Sequence, residues 1–251
     1  MRVSRLYVDR PLVEDAEYRL TGERAHYLGS VLRLRVGSSL MLFNGRGGEF
    51  EATVQATRAD TIYVRTVQHR TIERESSLAI RLAQSICRGE RMDWVIQKAV
   101  ELGITRIDPL VTERTVVRLN ARRAAHRVDH WRTIAIHTCE QCGRNRIPIV
   151  SPINELADWL IERPREELKL VLDQRTPNGL DSIDYAGDTV TMLVGPEGGF
   201  TMQERALVKT AGFATLALGF RTLRTETAAI VGLAAIQLVL GDLAGERSLR
   251  D

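Results

Sequence analysis

From Leu78 onward, short apolar runs alternate with longer segments of helical periodicity, and this alternation restricts the fold more than any other feature of the chain. Strands that alternate with helices form a parallel sheet. We expect strands near residues 78–86, 106–111, 147–150, 168–173, 189–194 and 214–218, and helices near residues 92–102, 121–142, 153–162, 201–211 and 225–240. Two helix boundaries have chemical signatures: a C-cap at Gly103 and a capping box formed by Thr201 and Glu204. The sequence therefore predicts an α/β domain.

The N-terminal 70 residues follow a different pattern, in which apolar and polar residues alternate in short runs. This pattern predicts strands near 5–8, 39–43, 50–54 and 61–67, a hairpin turn at 44–48 and one helix at 23–34. A small, mostly antiparallel β-barrel is the expected result. The chain, at 251 residues with 44% hydrophobic content, can fill two modest cores. We therefore expect an N-terminal domain at 1–70, a polar linker at 71–77 and an α/β domain at 78–251.

The composition indicates a cytoplasmic protein with a preference for arginine. Its longest apolar segment, from Ala228 to Leu240, is too short to span a bilayer. The charged N-terminus lacks the apolar core of a signal peptide. Of the 35 basic residues only three are lysines, and arginine suits phosphate forks and base stacking. Genomic base composition is the alternative explanation, but eight arginines in the first fifty residues favour a module that follows a phosphate backbone.

The cysteines do not indicate a disulfide framework, because there are only three in a long chain. Cys139 and Cys142 have the spacing of a redox or zinc motif, but a structural zinc site needs four ligands. The histidines at 126, 130 and 137 would share one helix face, with the last about 10 Å along the axis from its neighbour. We therefore expect no metal site.

Two expected strands end at glycine, and these two ends form the strongest candidate for a binding site. The strand at 189–194 stops at Gly195 and the strand at 214–218 stops at Gly219. Open α/β sheets bind ligands beyond the carboxyl ends of their strands. If the two strands are neighbours, their loops form a wall with exposed backbone amides. A phosphate-binding loop is the rival interpretation, but the Gly-Lys-Ser/Thr that grips phosphate and magnesium is missing.

The two loops, residues 193–200 and 218–228, resemble signature loops of the SPOUT superfamily of knotted, S-adenosylmethionine-dependent methyltransferases. The most similar branch methylates uridine N3 in small-subunit ribosomal RNA. The resemblance covers most of the chain and includes segments 91–94, 97–103, 112–116 and 140–144, with weaker agreement at 5–8 and 26–33. It implies a SPOUT-type parallel-sheet domain with a C-terminal trefoil knot, preceded by a PUA-like β-barrel. Helix 228–240, apolar on every side, would be buried all round in a homodimer.

The resemblance also implies roles for particular residues. S-adenosylmethionine would be held by Leu193, Gly195, Glu197, Gly198, Leu218, Gly219, Leu223 and Thr227. Arg224 would stabilise negative charge on a uracil carbonyl, and Glu226 would either accept the N3 proton or play a structural part. Ribosomal RNA, within the small subunit, would be contacted by Arg5, Arg33, Arg114, Gln141 and Arg144.

Two other functions compete with this interpretation. Ribose 2′-O-methylation occurs elsewhere in the superfamily, in families whose final loop is rich in asparagine or serine, whereas this chain has Leu223-Arg224-Thr225-Glu226-Thr227. A non-catalytic RNA-binding or ribosome assembly factor could keep the fold without the reaction. Failure to bind S-adenosylmethionine would favour that second alternative.

Overall fold

The computed structural model describes residues 3–58, 60–117, 119–161, 167–180 and 183–244. The chain divides into two compact units, one formed by Met1–Glu75 with Ile136–Ile147 and the other by Ser76–Ala135 with Pro148–Asp251. The expected division into 1–70, 71–77 and 78–251 stays a prediction. That division assigned residues 136–147 to the second domain, whereas they cluster here with the first unit. Among the described residues, no helix is both long enough and apolar enough to cross a membrane.

The first unit is built on a five-stranded sheet. Its strands are β1 (Ser4–Tyr7), β2 (Glu17–Thr21), β3 (Ser39–Phe43), β4 (Glu49–Arg58) and β5 (Thr61–Arg70), in the order β1-β3-β4-β5-β2. The β1 and β3 strands pair in parallel and the other neighbours are antiparallel. Helix α1 (Glu23–His26) continues into a π-helical turn, Tyr27–Val31, inside the segment predicted as one helix. The sequence prediction missed β2.

The alternation of apolar residues along these strands produces one core. Leu40, Leu42, Val54 and Val64 point to the same side of the sheet and pack with Leu28 of the π-helical turn. Polar residues between them face outward. The alternating pattern therefore specifies which face of each strand is buried.

The second unit contains a parallel sheet with helices between its strands. The chain forms β6 (Ala79–Ser85), α2 (Arg91–Glu101), β7 (Arg106–Val111), α3 (Ala121–Cys142), β8 (Ile149–Val150), β9 (Asn154–Glu155), α4 (Leu156–Ile161), β10 (Leu168–Leu172), β11 (Thr189–Val194), α5 (Met202–Thr210), β12 (Ala214–Leu216) and α6 (Thr225–Val239). The C-terminal part of α3, from Ile136, lies in the first unit and amounts to about two turns. The sheet order is β12-β10-β11-β6-β7-β8, with β9 beside β7, and every pair is parallel. The predicted α/β class is confirmed.

The two predicted helix boundaries are also present. Gly103 follows α2 with a φ of 80°, a left-handed conformation that favours glycine. At the start of α5, the Thr201 hydroxyl accepts a bond from the Glu204 backbone N–H, and the Glu204 carboxylate accepts one from the Thr201 N–H. The same carboxylate accepts the backbone N–H of Glu113 at 2.9 Å. One side chain therefore fixes the start of α5 and the loop after β7.

Helix α6 is not buried all round in the single chain. Ala229, Leu233 and Ile236 have no exposed surface, but Val231 is 41% exposed and Leu238 is 53% exposed. Residues 227, 231, 234 and 238 follow one another on one helix face, where i, i+4 and i+7 spacing aligns side chains. A single chain thus leaves a mostly apolar stripe uncovered, and complete burial of the helix in a homodimer stays a prediction. The threading of this helix into a knot stays a prediction.

Candidate active site

A cavity of about 440 Å³ lies where strands β10, β11 and β12 end. Its size falls within the range of small-molecule sites, about 300–1,000 Å³. Glycines and apolar residues make up more than half of its lining. The lining residues are Leu172–Arg175, Val194–Phe200, Arg205, Leu216, Leu218, Gly219, Arg221–Thr225 and Ala228.

The cavity has three loops in its wall instead of the two expected. Strand β10 lies between β11 and β12, so the two glycine-ended strands are not neighbours. The loop after β10, residues 172–175, fills the space between the other two. Asp173 in that loop forms an ion pair with Arg205 at 2.7 Å, which ties it to α5. The sequence indicated only that this loop lies at the same edge of the sheet, because every strand of a parallel sheet contributes its carboxyl end there; it did not indicate the order of the strands.

The glycines of the loops serve different physical needs. A Cβ at Gly195 would lie 2.9 Å from the ring of Phe200, which is buried and cannot move freely. A Cβ at Gly198 would lie 3.3–3.4 Å from the side chain of Arg114, whose guanidinium donates to the Gly198 carbonyl at 2.8 Å. Gly219 has open space around it but a φ of 82°. Gly195 is therefore needed for packing and Gly219 for backbone conformation, whereas a side chain at Gly198 would require a small shift of Arg114.

A chain of hydrogen bonds connects β6 with both glycine loops. The side-chain amide of Gln84, which is buried, donates to the hydroxyl of Thr225 at 3.1 Å. That hydroxyl donates to the carbonyl of Gly195 at 2.6 Å. Thr225 is the first residue of α6, so this chain holds the loop after β11 against the start of the last helix.

Charged side chains beside this chain of bonds connect the same two loops. The Arg91 guanidinium lies 3.4 Å from a carboxylate oxygen of Glu197 and 3.7 Å from one of Glu226. The other oxygen of Glu226 is buried and has no hydrogen-bond partner among the described residues. Burial, together with the carboxylates of Glu197 and Glu226, raises the pKa of the nearby Cys87 thiol to about 12. This thiol is therefore neutral at physiological pH.

Most of the predicted cofactor residues line the cavity, and two do not. Leu193 is wholly buried in the core of the second unit, and Thr227 is half-buried on α6 away from the lining. Leu193 is the last but one residue of β11, so its side chain belongs to the packed sheet and not to the loop. The residues that do line the cavity are Gly195, Glu197, Gly198, Leu218, Gly219 and Leu223.

The two predicted catalytic residues occupy different environments. Arg224 is exposed and lines the cavity. Glu226 has a side chain only 10% exposed, does not line the cavity and faces Arg91. Of the two roles left open for Glu226, this environment favours the structural one.

The residues predicted to bind RNA are also divided. Arg5 pairs with the buried Glu49 and donates to Asn145 at 2.6 Å, and Arg144 donates to Glu75 at 3.0 Å. Burial acts to raise the pKa of the Glu49 carboxyl, but hydrogen bonds from Arg74 and Arg5 outweigh it and lower that pKa. The structure thus makes Arg5 and Arg144 internal residues of the first unit, which runs against their predicted contact with RNA. Sequence could not show this, because their carboxylate partners are distant in the chain.

The remaining predicted RNA contacts lie at the surface. Arg33 and Gln141 are exposed, each within the first unit. Arg33 has a positive φ of 52°, which is uncommon for a residue with a side chain. Arg114 is exposed but its guanidinium binds the Gly198 carbonyl, so it supports the cavity loop.

Comparison with known proteins identifies the family. A family model described as an RNA methyltransferase domain matches residues 74–237. The chain belongs to this family of RNA methyltransferases. A second model, an RNA methyltransferase PUA domain, matches residues 20–67. The family and the PUA-like domain predicted from the sequence are both confirmed.

Relatives and solved structures agree along nearly the whole chain. Ribosomal RNA small subunit methyltransferase E of Buchnera aphidicola subsp. Schizaphis graminum is 32% identical over 96% of this chain and 98% of the relative. Its counterpart from Bacillus subtilis is 29% identical over 92% and 95%. A methyltransferase from Legionella pneumophila, solved with the cofactor SAM, has a TM-score of 0.93 and 38% identity, covering 97% of this chain and all of the other. The Neisseria gonorrhoeae small subunit methyltransferase E, bound to S-adenosyl methionine, has a TM-score of 0.91, 37% identity and coverage of 96% and 100%.

Proposed function

We propose that this protein is an S-adenosylmethionine-dependent methyltransferase that methylates N3 of a uridine in small-subunit ribosomal RNA. The cavity at the ends of β10, β11 and β12 is the observation that carries the proposal. It lies where an open parallel sheet binds ligands, and full-length structural neighbours have S-adenosylmethionine bound. The names of the relatives supply the RNA substrate.

The residues present fit this cofactor. Adenosine has apolar faces and polar edges, and the wall combines Leu216, Leu218 and Leu223 with the main chain of the glycine loops. The carboxylate of Glu197, fixed by Arg91, is available to the positively charged end of the methionine moiety. When bound, the cofactor supplies an electrophilic methyl group on a sulfonium centre.

The protein's own groups would then act on the uracil ring. N3 carries a proton and becomes a nucleophile as that proton leaves, so negative charge develops on the O2 and O4 carbonyls. Arg224 lines the cavity and has no ion-pair partner among the described residues, so its guanidinium is free to stabilise that charge. Glu226 positions Arg91 in this proposal and does not touch the base. Because N3 lies on the pairing edge, the uridine must be unpaired or flipped out.

We also propose that the protein acts in the cytoplasm as a homodimer on RNA of the small ribosomal subunit. The stripe at 227, 231, 234 and 238 of α6 is apolar except for Thr227 and is partly exposed, and a two-fold pair is the commonest way to cover such a surface. Leu238→Glu should convert a dimer into a monomer in sedimentation equilibrium. A wild-type monomer that is fully active would refute the dimer.

The function itself is tested by mass spectrometry of small-subunit ribosomal RNA from a strain that lacks this gene. We expect one methyluridine to disappear and to return with the wild-type gene but not with Arg224→Ala. Fragmentation separates the alternatives, because a methyl group on the base and one on the ribose give different fragments. Loss of a ribose methyl would overturn N3 specificity, and an unchanged RNA would overturn the enzymatic function.

A further inference from the structure

Phe220 is the most exposed large apolar side chain in the described part of the molecule, at 107% of its reference surface. A single exposed apolar residue needs no explanation by itself. Its location gives it significance, because the residues on both sides, Gly219 and Arg221, line the cavity. Consecutive Cα atoms are about 3.8 Å apart. The phenyl ring therefore starts at the rim of the cavity and projects into solvent.

The surroundings of Phe220 are positively charged. Arg221 and Arg224 are both exposed and both line the cavity. Within the described ranges neither has an ion-pair partner, whereas Arg205, which also lines the cavity, is paired with Asp173. An aromatic ring beside free guanidinium groups is a combination that binds single-stranded nucleic acid, since the ring stacks on a base and the cations contact phosphate.

A contact with a second subunit explains the exposure of Phe220 less well, because the surface proposed for that contact is the stripe on α6. That stripe is formed by residues 227, 231, 234 and 238, all on one helix, and it ends before the loop that carries Phe220. Phe220 is set apart by a glycine with a φ of 82° on one side and an exposed arginine on the other. A surface of this charge favours an anionic partner over a second apolar patch.

We propose that Phe220 is an aromatic platform that stacks on an unpaired nucleobase of the RNA at the mouth of the cavity, with Arg221 contacting a neighbouring phosphate. The proposal rests on the proposed function and identifies a base-binding subsite of the same cavity. Phe220 is a positioning residue: it holds RNA and does not take part in methyl transfer. Since every base has a π face, the contact strengthens binding without selecting a sequence.

The experiment compares three variants of the full-length protein. Phe220→Ala removes the ring, Phe220→Tyr keeps an aromatic face, and Met202→Ala is the matched control because Met202 is 89% exposed on the same unit and does not line the cavity. The probe is a short single-stranded oligouridine RNA, with affinity measured by fluorescence anisotropy. Calorimetry gives the S-adenosylmethionine affinity and sedimentation gives the oligomeric state.

We expect Phe220→Ala to weaken RNA binding by about 5- to 160-fold, the range that loss of one base-aromatic stack produces. Phe220→Tyr should restore it, and Met202→Ala should leave it unchanged. Cofactor affinity and oligomeric state should be unaltered in all three. Because the ring is at the surface, the variants should fold like the wild type.

Four results would overturn the proposal. They are unchanged RNA affinity in Phe220→Ala, loss of cofactor affinity, a change in oligomeric state, and failure of the wild type to bind oligouridine. A wild-type protein that binds RNA with the ring but transfers no methyl group would refute the proposed function instead. The binding comparison therefore tests the role of Phe220, and the transfer assay separately tests the proposed function.

Discussion

The Thr225 hydroxyl joins the start of α6 to the loop after β11, and its removal tests whether that bond shapes the cavity. Thr225→Val keeps the shape of the side chain but removes both the acceptor for Gln84 and the donor to the Gly195 carbonyl. Gln84 keeps its bond to the Ser85 carbonyl at 2.9 Å, so the main loss falls on Gly195. The substitution therefore acts on one loop.

The size of the effect follows from burial. Thr225 is only 5% exposed, but the carbonyl left without its partner belongs to the half-buried Gly195, so the cost is at most that of a buried polar group, about 1–3 kcal/mol. For a chain of this size, this corresponds to a fall in Tm of about 2–12 °C. The freed loop must be ordered again by the ligand, so S-adenosylmethionine affinity should fall by about 2- to 12-fold, the equivalent of one net hydrogen bond of about 0.5–1.5 kcal/mol.

Differential scanning calorimetry and titration calorimetry measure the two quantities on the same samples. Thr225→Ser is the control, because it keeps the hydroxyl and loses one methyl group. It should bind the cofactor like the wild type. If Thr225→Val also keeps wild-type affinity and Tm, the hydrogen bond does not fix the loop, and our account of how the cavity is held is wrong.

Four further predictions concern individual side chains. Arg224→Ala should lower single-turnover rates by about 10²–10³-fold with cofactor affinity unchanged, and equal rates would remove it from the chemistry. Glu226→Gln should show no recovery of rate at high pH; a loss of about 10²-fold or more that is restored as pH rises would identify a general base. Alkylation of the native protein at neutral pH should label the half-buried Cys142 and spare Cys87, whose pKa is about 12. Because burial raises the pKa of Cys87 above the ordinary value of 9.0 for a thiol, the stability that the neutral thiol contributes is complete below pH 9 and falls as pH rises toward 12, which thermal melts would measure.

Local sequence patterns predicted the elements of the second unit because each pattern reflects one local requirement, such as the burial of a strand or the capping of a helix. Strand β11 is a continuous apolar run that ends at Gly195, and its observed bounds are those expected. The capping box at Thr201 and Glu204 formed as its spacing predicts. Strand β2 was missed because Glu17–Thr21 has only two apolar residues, and burial of Tyr18 and Leu20 depends on its pairing with β5.

Features that depend on long-range pairing could not be predicted from the sequence. The order of strands in the sheet put β10 between the two glycine-ended strands, and no local pattern encodes that order. The sequence around an arginine does not show whether its side chain is exposed to solvent or paired with a buried carboxylate. Arg5 and Arg144 became internal because Glu49 and Glu75 approach them from 44 and 69 residues away. The family resemblance identified the right loops, and only the fold showed which of their side chains reach the cavity.

The glycine-rich loop after β11 is held at both ends, and this reduces the conformational entropy that the loop can lose when a ligand binds. At one end the Gly195 carbonyl accepts the Thr225 hydroxyl, and at the other the Thr201 N–H is bound by Glu204. Glycine normally loses more conformational freedom than other residues when a loop becomes ordered, which weakens binding. Here much of that freedom is already lost when the protein folds. The loop can thus approach a ligand as closely as glycine allows, while only the few residues between the two fixed ends remain to be ordered on binding.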